Sequence, residues 1–173
     1  WQMPNIANPP VPVRVNLSGK QLGQPGLADV IEQVIMQSGL TTPSLKLEVT
    51  ETMLMENPDM ASATLARLRS RNIKVLMDDF GTGYSSLSYL HRFPSDTLKI
   101  DGSFVSRMTE SKDGREIVRT IILLAHNLGM TVIAECVETP QHVQLLKEFG
   151  CDYAQGYHFG RPEPVDKTEQ LIV

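Results

Sequence analysis

The sequence predicts a parallel α/β fold of the (β/α)8-barrel kind, with about six of the eight strands in this chain. Three observations carry that expectation. Short apolar runs recur after about 20 to 35 residues with amphipathic stretches between them, the pattern of repeated βα units. The runs show little polar alternation, as parallel strands buried on both faces do. Residues able to bind metal or water stand at the carboxyl end of nearly every run. A doubly wound sheet fits the first two observations equally well, but it gathers only the strand ends beside its switch point. A barrel gathers them all at one mouth, so the third observation favours the barrel.

The elements follow in order. Val13–Leu17 is the first candidate strand. Pro25 stands at a first-turn position ahead of Leu27, Val30, Ile31, Val34 and Ile35, and Gly39 stops that helix. Leu45–Val49 is the second strand, and Asn57-Pro58 opens a helix carrying Met60, Leu65 and Leu68. Ile73–Met77 is the third strand, with one or two short helical turns over Ser85–Arg92. Thr97–Ile100 is the fourth, followed by a helix capped by Asp113 with Ile117, Val118, Ile121, Leu124 and Leu128 on one side. Thr131–Ala134 is the fifth. Thr139-Pro140 starts a helix that turns Val143, Leu146 and Phe149 inward, and Tyr153–Gln155 is the sixth strand.

Six strands do not close an eight-stranded barrel, and a typical one takes about 250 residues. The 173 residues therefore read as one domain, residues 1–173, that lacks two strands and a helix on its N-terminal side. Such a piece is expected to expose two unpaired sheet edges.

Composition narrows the function. Hydrophobic residues at 41% and charged residues at 21% are ordinary for a soluble domain and exclude disorder. No run approaches the roughly 18 apolar residues of a membrane span, and the N-terminus lacks a signal-peptide layout, so a cytoplasmic location without membrane contact is expected. A net charge of -4 argues against long nucleic acid as partner but admits a small phosphate ligand. Cys136 and Cys151 form no CxxC and read as reduced. Four scattered histidines make no zinc site, so any metal would be held by oxygen.

The densest chemical signal is Met77-Asp78-Asp79-Phe80-Gly81-Thr82-Gly83. Adjacent acids at a strand end are expected to project to different sides, each toward a different metal ion. Gly81 and Gly83 let the backbone turn tightly. Asn16, Glu48, Asp78 and Asp79 make an all-oxygen set suited to Mg2+ or Mn2+, and Glu135 adds a carboxylate at the same mouth. Two divalent ions would relieve the mutual repulsion of these acids and together activate a water. Lys99 ends a strand otherwise fit for burial and reads as a placed ammonium near that water. Gln155, before Gly156, could orient the same water or a phosphate oxygen.

VNLS, LEVTE, DDFGTGYSSL, LKIDGSFV, VIAECVET and YAQGYHFGRP, in this order between Arg14 and Pro162, closely resemble the successive signatures of EAL domains. The resemblance implies a barrel phosphodiesterase that cuts cyclic di-GMP to linear pGpG with two Mg2+ or Mn2+ ions. It implies Asn16, Glu48 and Asp78 as ligands of the first metal, with Asp78 bridging to a second held by Asp79 and Glu135. Lys99 and Gln155 match residues near the nucleophilic water. Glu51 resembles an acid that braces the DDFGTG loop, and Glu138 a second structural acid. Asp101, Gly156, Arg161 and Pro162 fall where the family lines its substrate groove. A homodimer, and a sensory or diguanylate cyclase domain upstream, are the partners implied.

Two departures stand out. The Glu-Ala-Leu sequence that names the family, with its metal-binding glutamate, does not occur in the chain. Cys136 stands where the family usually has glycine, which restricts the backbone beside Glu135 and sets a thiol near the site. The alternative readings are a degenerate EAL domain that binds the dinucleotide without cutting it, and an unrelated metal-dependent barrel enzyme.

Overall fold

The structure, a computed structural model, describes residues 12–40, 44–83, 90–164 and 167. Six strands form one sheet: β1 (Val13–Asn16), β2 (Leu45–Thr50), β3 (Lys74–Phe80), β4 (Thr97–Ile100), β5 (Thr131–Ala134) and β6 (Tyr153–Ala154). All are parallel and their spatial order is their chain order. A doubly wound sheet needs a reversal of order, and none occurs here. Right-handed crossovers that always step the same way put every helix on one face, so the other face must curl upon itself. Arg14 Nη1 on β1 donates to Gln155 Oε1 just past β6, at 3.1 Å. In a flat sheet five strand steps of about 4.8 Å would hold those edges about 24 Å apart. Only a strongly curved sheet, an open barrel, brings them together.

The strands alternate only in part: β4 is buried throughout and β5 past its first residue, as expected, while polar residues enter the face away from the helices. Leu47, Val49, Val75, Met77, Leu98, Ile100, Val132 and Ala134 belong to the helix-covered core. The residues between them include Lys46, Glu48, Lys74, Asp78 and Lys99, which the pleat turns toward the barrel interior. The polar inner face is what a site-bearing mouth requires. The edges also depart from burial on both faces: Val13, Val15 and Tyr153 are exposed.

Seven helices lie among the described residues: α1 (Gly19–Leu22), α2 (Leu27–Ser38), α3 (Glu51–Glu56), α4 (Pro58–Ser70), α5 (Gly102–Glu110), α6 (Lys112–Asn127) and α7 (Pro140–Glu148). The sequence reading has no counterpart for α1, α3 or α5. Each is short and starts at a polar cap: Ser18 in a capping box, Thr50, and Asp101. Asp113 does not cap α6; Ser111 does, its Oγ accepting from Gly114 N at 3.0 Å. Pro25 precedes the first turn of α2, where Gly26 is the N-cap. Val30, Val34, Ile117 and Leu128 are exposed rather than turned inward. Asn57 and Thr139 cap their helices as expected. The turns expected over Ser85–Arg92 fall largely outside the described residues. Among the described residues no helix is long and apolar enough to cross a membrane.

Candidate active site

The mouth is built from β1 to β6 in turn. Asn16 stands in register with Glu48 on the neighbouring strand, which points both toward the same face. Glu48 is buried inside β2, one turn of the pleat before Thr50, which pairs with Asp78.

The ladder between β3 and β4 is irregular at the two aspartates. Met77 pairs with Leu98 and Phe80 with Ile100, so β3 holds one residue more than its partner over this stretch. Asp79 absorbs the excess with φ +53°, a left-handed conformation that aspartate adopts more readily than most residues. Its N–H donates to Asp78 Oδ1 at 3.0 Å, and its carbonyl accepts from Thr82 N and Thr82 Oγ1 at 3.2 and 2.8 Å. The expectation that these acids project to different sides is corrected by this bulge. Carboxylate oxygens of Asp78, Asp79 and Glu135 lie within 4.8 Å of one another.

Lys99 reaches the centre of this group. Its Nζ lies 2.8 Å from Glu135 Oε1, 2.9 Å from Asp78 Oδ1 and 3.2 Å from Glu48 Oε2. Burial pushes the ammonium toward deprotonation, but hydrogen bonds and charge from Glu135 and Asp78 more than reverse this and hold it above the usual lysine range. Burial, reinforced by the charges of Asp78 and Asp101, raises Asp79. Burial also raises Glu135, with the Lys99 hydrogen bond opposing it. Arg14 Nη1 adds a second cation 3.9 Å from Glu48 Oε1, so Lys99 and Arg14 face Glu48, Asp78, Asp79 and Glu135, and the cluster stays short of positive charge. The donors are all hard oxygens, so the residues present suit Mg2+ or Mn2+.

Glu51 is buried at the start of α3, and its Oε2 accepts from Gly81 N at 2.8 Å. Gly81 has φ +94°, and a Cβ there would meet the Phe104 ring at 2.6 Å.

Gln155 is engaged by Arg14 as described above. Glu135, Cys136, Glu138, Gln155, Gly156 and Tyr157 line a cleft of about 330 Å3. Gly156 has a packing reason of its own: a Cβ would fall 2.2 Å from Val137 N and 2.3 Å from Val137 O. Glu138 is exposed, and its N–H donates to His142 Nδ1 at 3.3 Å. Asp101 spends one oxygen capping α5, accepting from Ser103 N at 3.0 Å. Arg161 stacks on the exposed Tyr157 ring at 4.5 Å from its centroid, and Pro162 is exposed beside it.

Cys136 adopts φ +53°. Burial raises its thiol, and the charges of Glu135, Asp101 and Glu138 add to the effect, which lowers the reactive thiolate fraction. Burial likewise pushes Cys151 up to about 11.

Sequence reasoning missed Arg14, Gly102 and Phe104 at this site. Arg14 has a signal, since it lies two residues before Asn16 and so shares its face. The other two act through contacts that no local pattern encodes.

Fold and site together define a barrel whose mouth gathers acids from several strands around one lysine. A family model for the EAL domain matches residues 1–162. The chain is 44% identical over 160 residues to the cyclic di-GMP phosphodiesterase NbdA of Pseudomonas aeruginosa, covering 92% of this chain and 20% of that one. A solved PaMucR phosphodiesterase in complex with c-di-GMP superposes with a TM-score of 0.85 at 37% identity, covering 91% of this chain and 64% of that one. The manganese and cyclic-di-GMP complex of Klebsiella pneumoniae BlrP1 gives 0.81 at 33% identity, covering 87% and 39%. The chain belongs to the EAL domain family. It spans about a fifth of the curated relatives it matches, 22% and 20% of the first two.

Proposed function

We propose that this chain forms the catalytic part of a phosphodiesterase that hydrolyses cyclic di-GMP to linear pGpG with two Mg2+ or Mn2+ ions. The convergence of Asp78, Asp79 and Glu135 around Lys99 carries this reading. Asn16, Glu48 and Asp78 would hold one ion, and Asp78, Asp79 and Glu135 the other. When bound, such ions supply the positive charge that a phosphodiester and an ionising water require.

The chain's own residues then have distinct tasks. Lys99 spends its three N–H donors on Glu48, Asp78 and Glu135, which keeps them at close range and sets a positive charge beside the water or phosphate oxygen. Gln155, oriented by Arg14, offers its amide to the same region. Glu51 fixes the backbone after the two aspartates through Gly81 N–H. Glu138 serves as a second structural acid, and Asp101, Gly156, Arg161 and Pro162 border the route by which the dinucleotide enters. Function as a homodimer, behind a sensory or diguanylate cyclase domain and in the cytoplasm, completes the proposal.

The test is pGpG formation from cyclic di-GMP with Mn2+ and with EDTA, in a chain extended by a family strand carrying Glu-Ala-Leu. Turnover abolished by EDTA, by Glu48→Ala and by Asp78→Ala is the expected result. Tight dinucleotide binding without any product would replace this reading with that of a receptor.

A further inference from the structure

Two segments carry Asp78, Asp79 and Glu135, and both touch the same helical turn. The first is the end of β3 with the turn that follows it, Asp78 to Gly83, called the first loop below. It is closed internally by the two Thr82 hydrogen bonds to the Asp79 carbonyl and anchored by buried Phe80 opposite Ile100. Glu51 holds Gly81 from one side by its N–H. From another side the Phe104 ring lies where a Gly81 side chain would start, with Cε2 and Cζ 2.6 and 2.7 Å from that position. Phe104 is itself half-buried against the core.

The second loop runs from Glu135 to Glu138. Glu135 N donates to Ile100 O at 3.1 Å, which ties the loop to the end of β4. Its next residue, Cys136, packs over Gly102: a Cβ on Gly102 would lie 2.5 Å from Sγ and 2.6 Å from Cβ of Cys136. Gly102 and Phe104 both belong to the first turn of α5, three and five residues after Lys99 in the chain.

We propose that this first turn sets the separation of the Asp78–Asp79 loop from the Glu135 loop, with Phe104 as a positioning residue for the cation-holding cluster. Glu51 accepts from Gly81 N–H, and its carboxylate also lies beside Gly83. The Phe104 ring limits the loop from another side. Gly102 lets Cys136, and with it Glu135, settle close to the same helix. The inference rests on the metal-binding reading given above.

Mn2+ titration of the chain, extended by the Glu-Ala-Leu strand as in the activity test above, followed by electron paramagnetic resonance tests it. Phe104→Ala is expected to weaken Mn2+ binding about tenfold or more, the scale for residues that orient metal ligands, while Phe104→Tyr keeps the ring and stays within about twofold. Leu146→Ala, in the core on α7, is expected to lower stability and leave Mn2+ affinity unchanged. Gly102→Ala is expected to weaken binding, and adding Cys136→Gly to restore it, because the two residues occupy one space. An unaltered chain that binds no Mn2+ would overturn the metal reading and this inference with it. Binding in the unaltered chain that Phe104→Ala leaves intact, or that Leu146→Ala weakens equally, would overturn this inference alone.

Discussion

Lys99 Nζ lies 2.8 Å from Glu135 Oε1, so the fourth strand is tied by charge to the loop leaving the fifth. The same ammonium also holds Asp78 and Glu48, and only 4% of the residue is exposed. Lys99→Met would leave Glu48 with only Arg14, at 3.9 Å, and take the ammonium from the partly buried Asp78 and Glu135. Removing one partner of a buried ion pair costs about 3–5 kcal/mol, and urea unfolding in EDTA should show a loss of that order. Mn2+ should restore part of it by replacing the missing positive charge. A variant as stable as the parent in EDTA would show that the lysine carries no such burden.

Glu51→Ala removes the acceptor for Gly81 N–H. The donor is partly buried, so leaving it unmatched costs about 1 kcal/mol, the low end for such groups. Hydrogen exchange should show the Gly81 amide losing protection while amides in β5 keep theirs. Equal protection in both proteins would mean that the loop is held without this carboxylate.

Asp152 gives the acid-range prediction. Burial alone would raise its pKa, but hydrogen bonds from His126 and Val132 N, with the His126 charge, bring it below the ordinary value. Its contribution to stability is therefore present above the unfolded aspartate value of about 3.9 and disappears as pH falls through the lower folded value. Both side chains are about one-third exposed, so solvent screening keeps the pair at about 1 kcal/mol or less. Asp152→Asn should lower stability by that amount at pH 7 and by progressively less as pH falls below about 3.9. A difference that does not shrink in acid would argue against the linkage.

Cys136 sits at φ +53°, where a β-branched side chain fits badly. Cys136→Val should cost about 1–2 kcal/mol from backbone strain, whereas Cys136→Gly should match the parent or exceed it. Thermal unfolding of the two variants would decide, and a Val variant with an unchanged midpoint would contradict the strain.

Much of this architecture is legible in the chain. Leu45–Val49, Thr97–Ile100 and Thr131–Ala134 mark strands because their apolar residues must meet helices. Asn57-Pro58 and Thr139-Pro140 mark helix starts because their chemistry satisfies free N–H groups. The acids Glu48, Asp78, Asp79 and Glu135 are visible because nothing in a barrel core calls for them. What stays hidden depends on contacts between distant segments. Arg14 meets Gln155 only after the sheet curls, and Cys136 meets Gly102 only once two loops fold onto one helix. The start of α6 goes astray for a smaller reason: Ser111 and Asp113 are both competent caps, and packing chooses between them.

The surplus residue between Met77 and Phe80 has a last implication. A chain one residue shorter there would run smoothly from Met77 to Phe80, with a single aspartate facing Lys99 and Phe80 still opposite Ile100. Backbone pairing would be more complete in that shorter protein. What the second aspartate adds is not pairing but a carboxylate beside Asp78 and Glu135 and a carbonyl that closes the turn through Thr82.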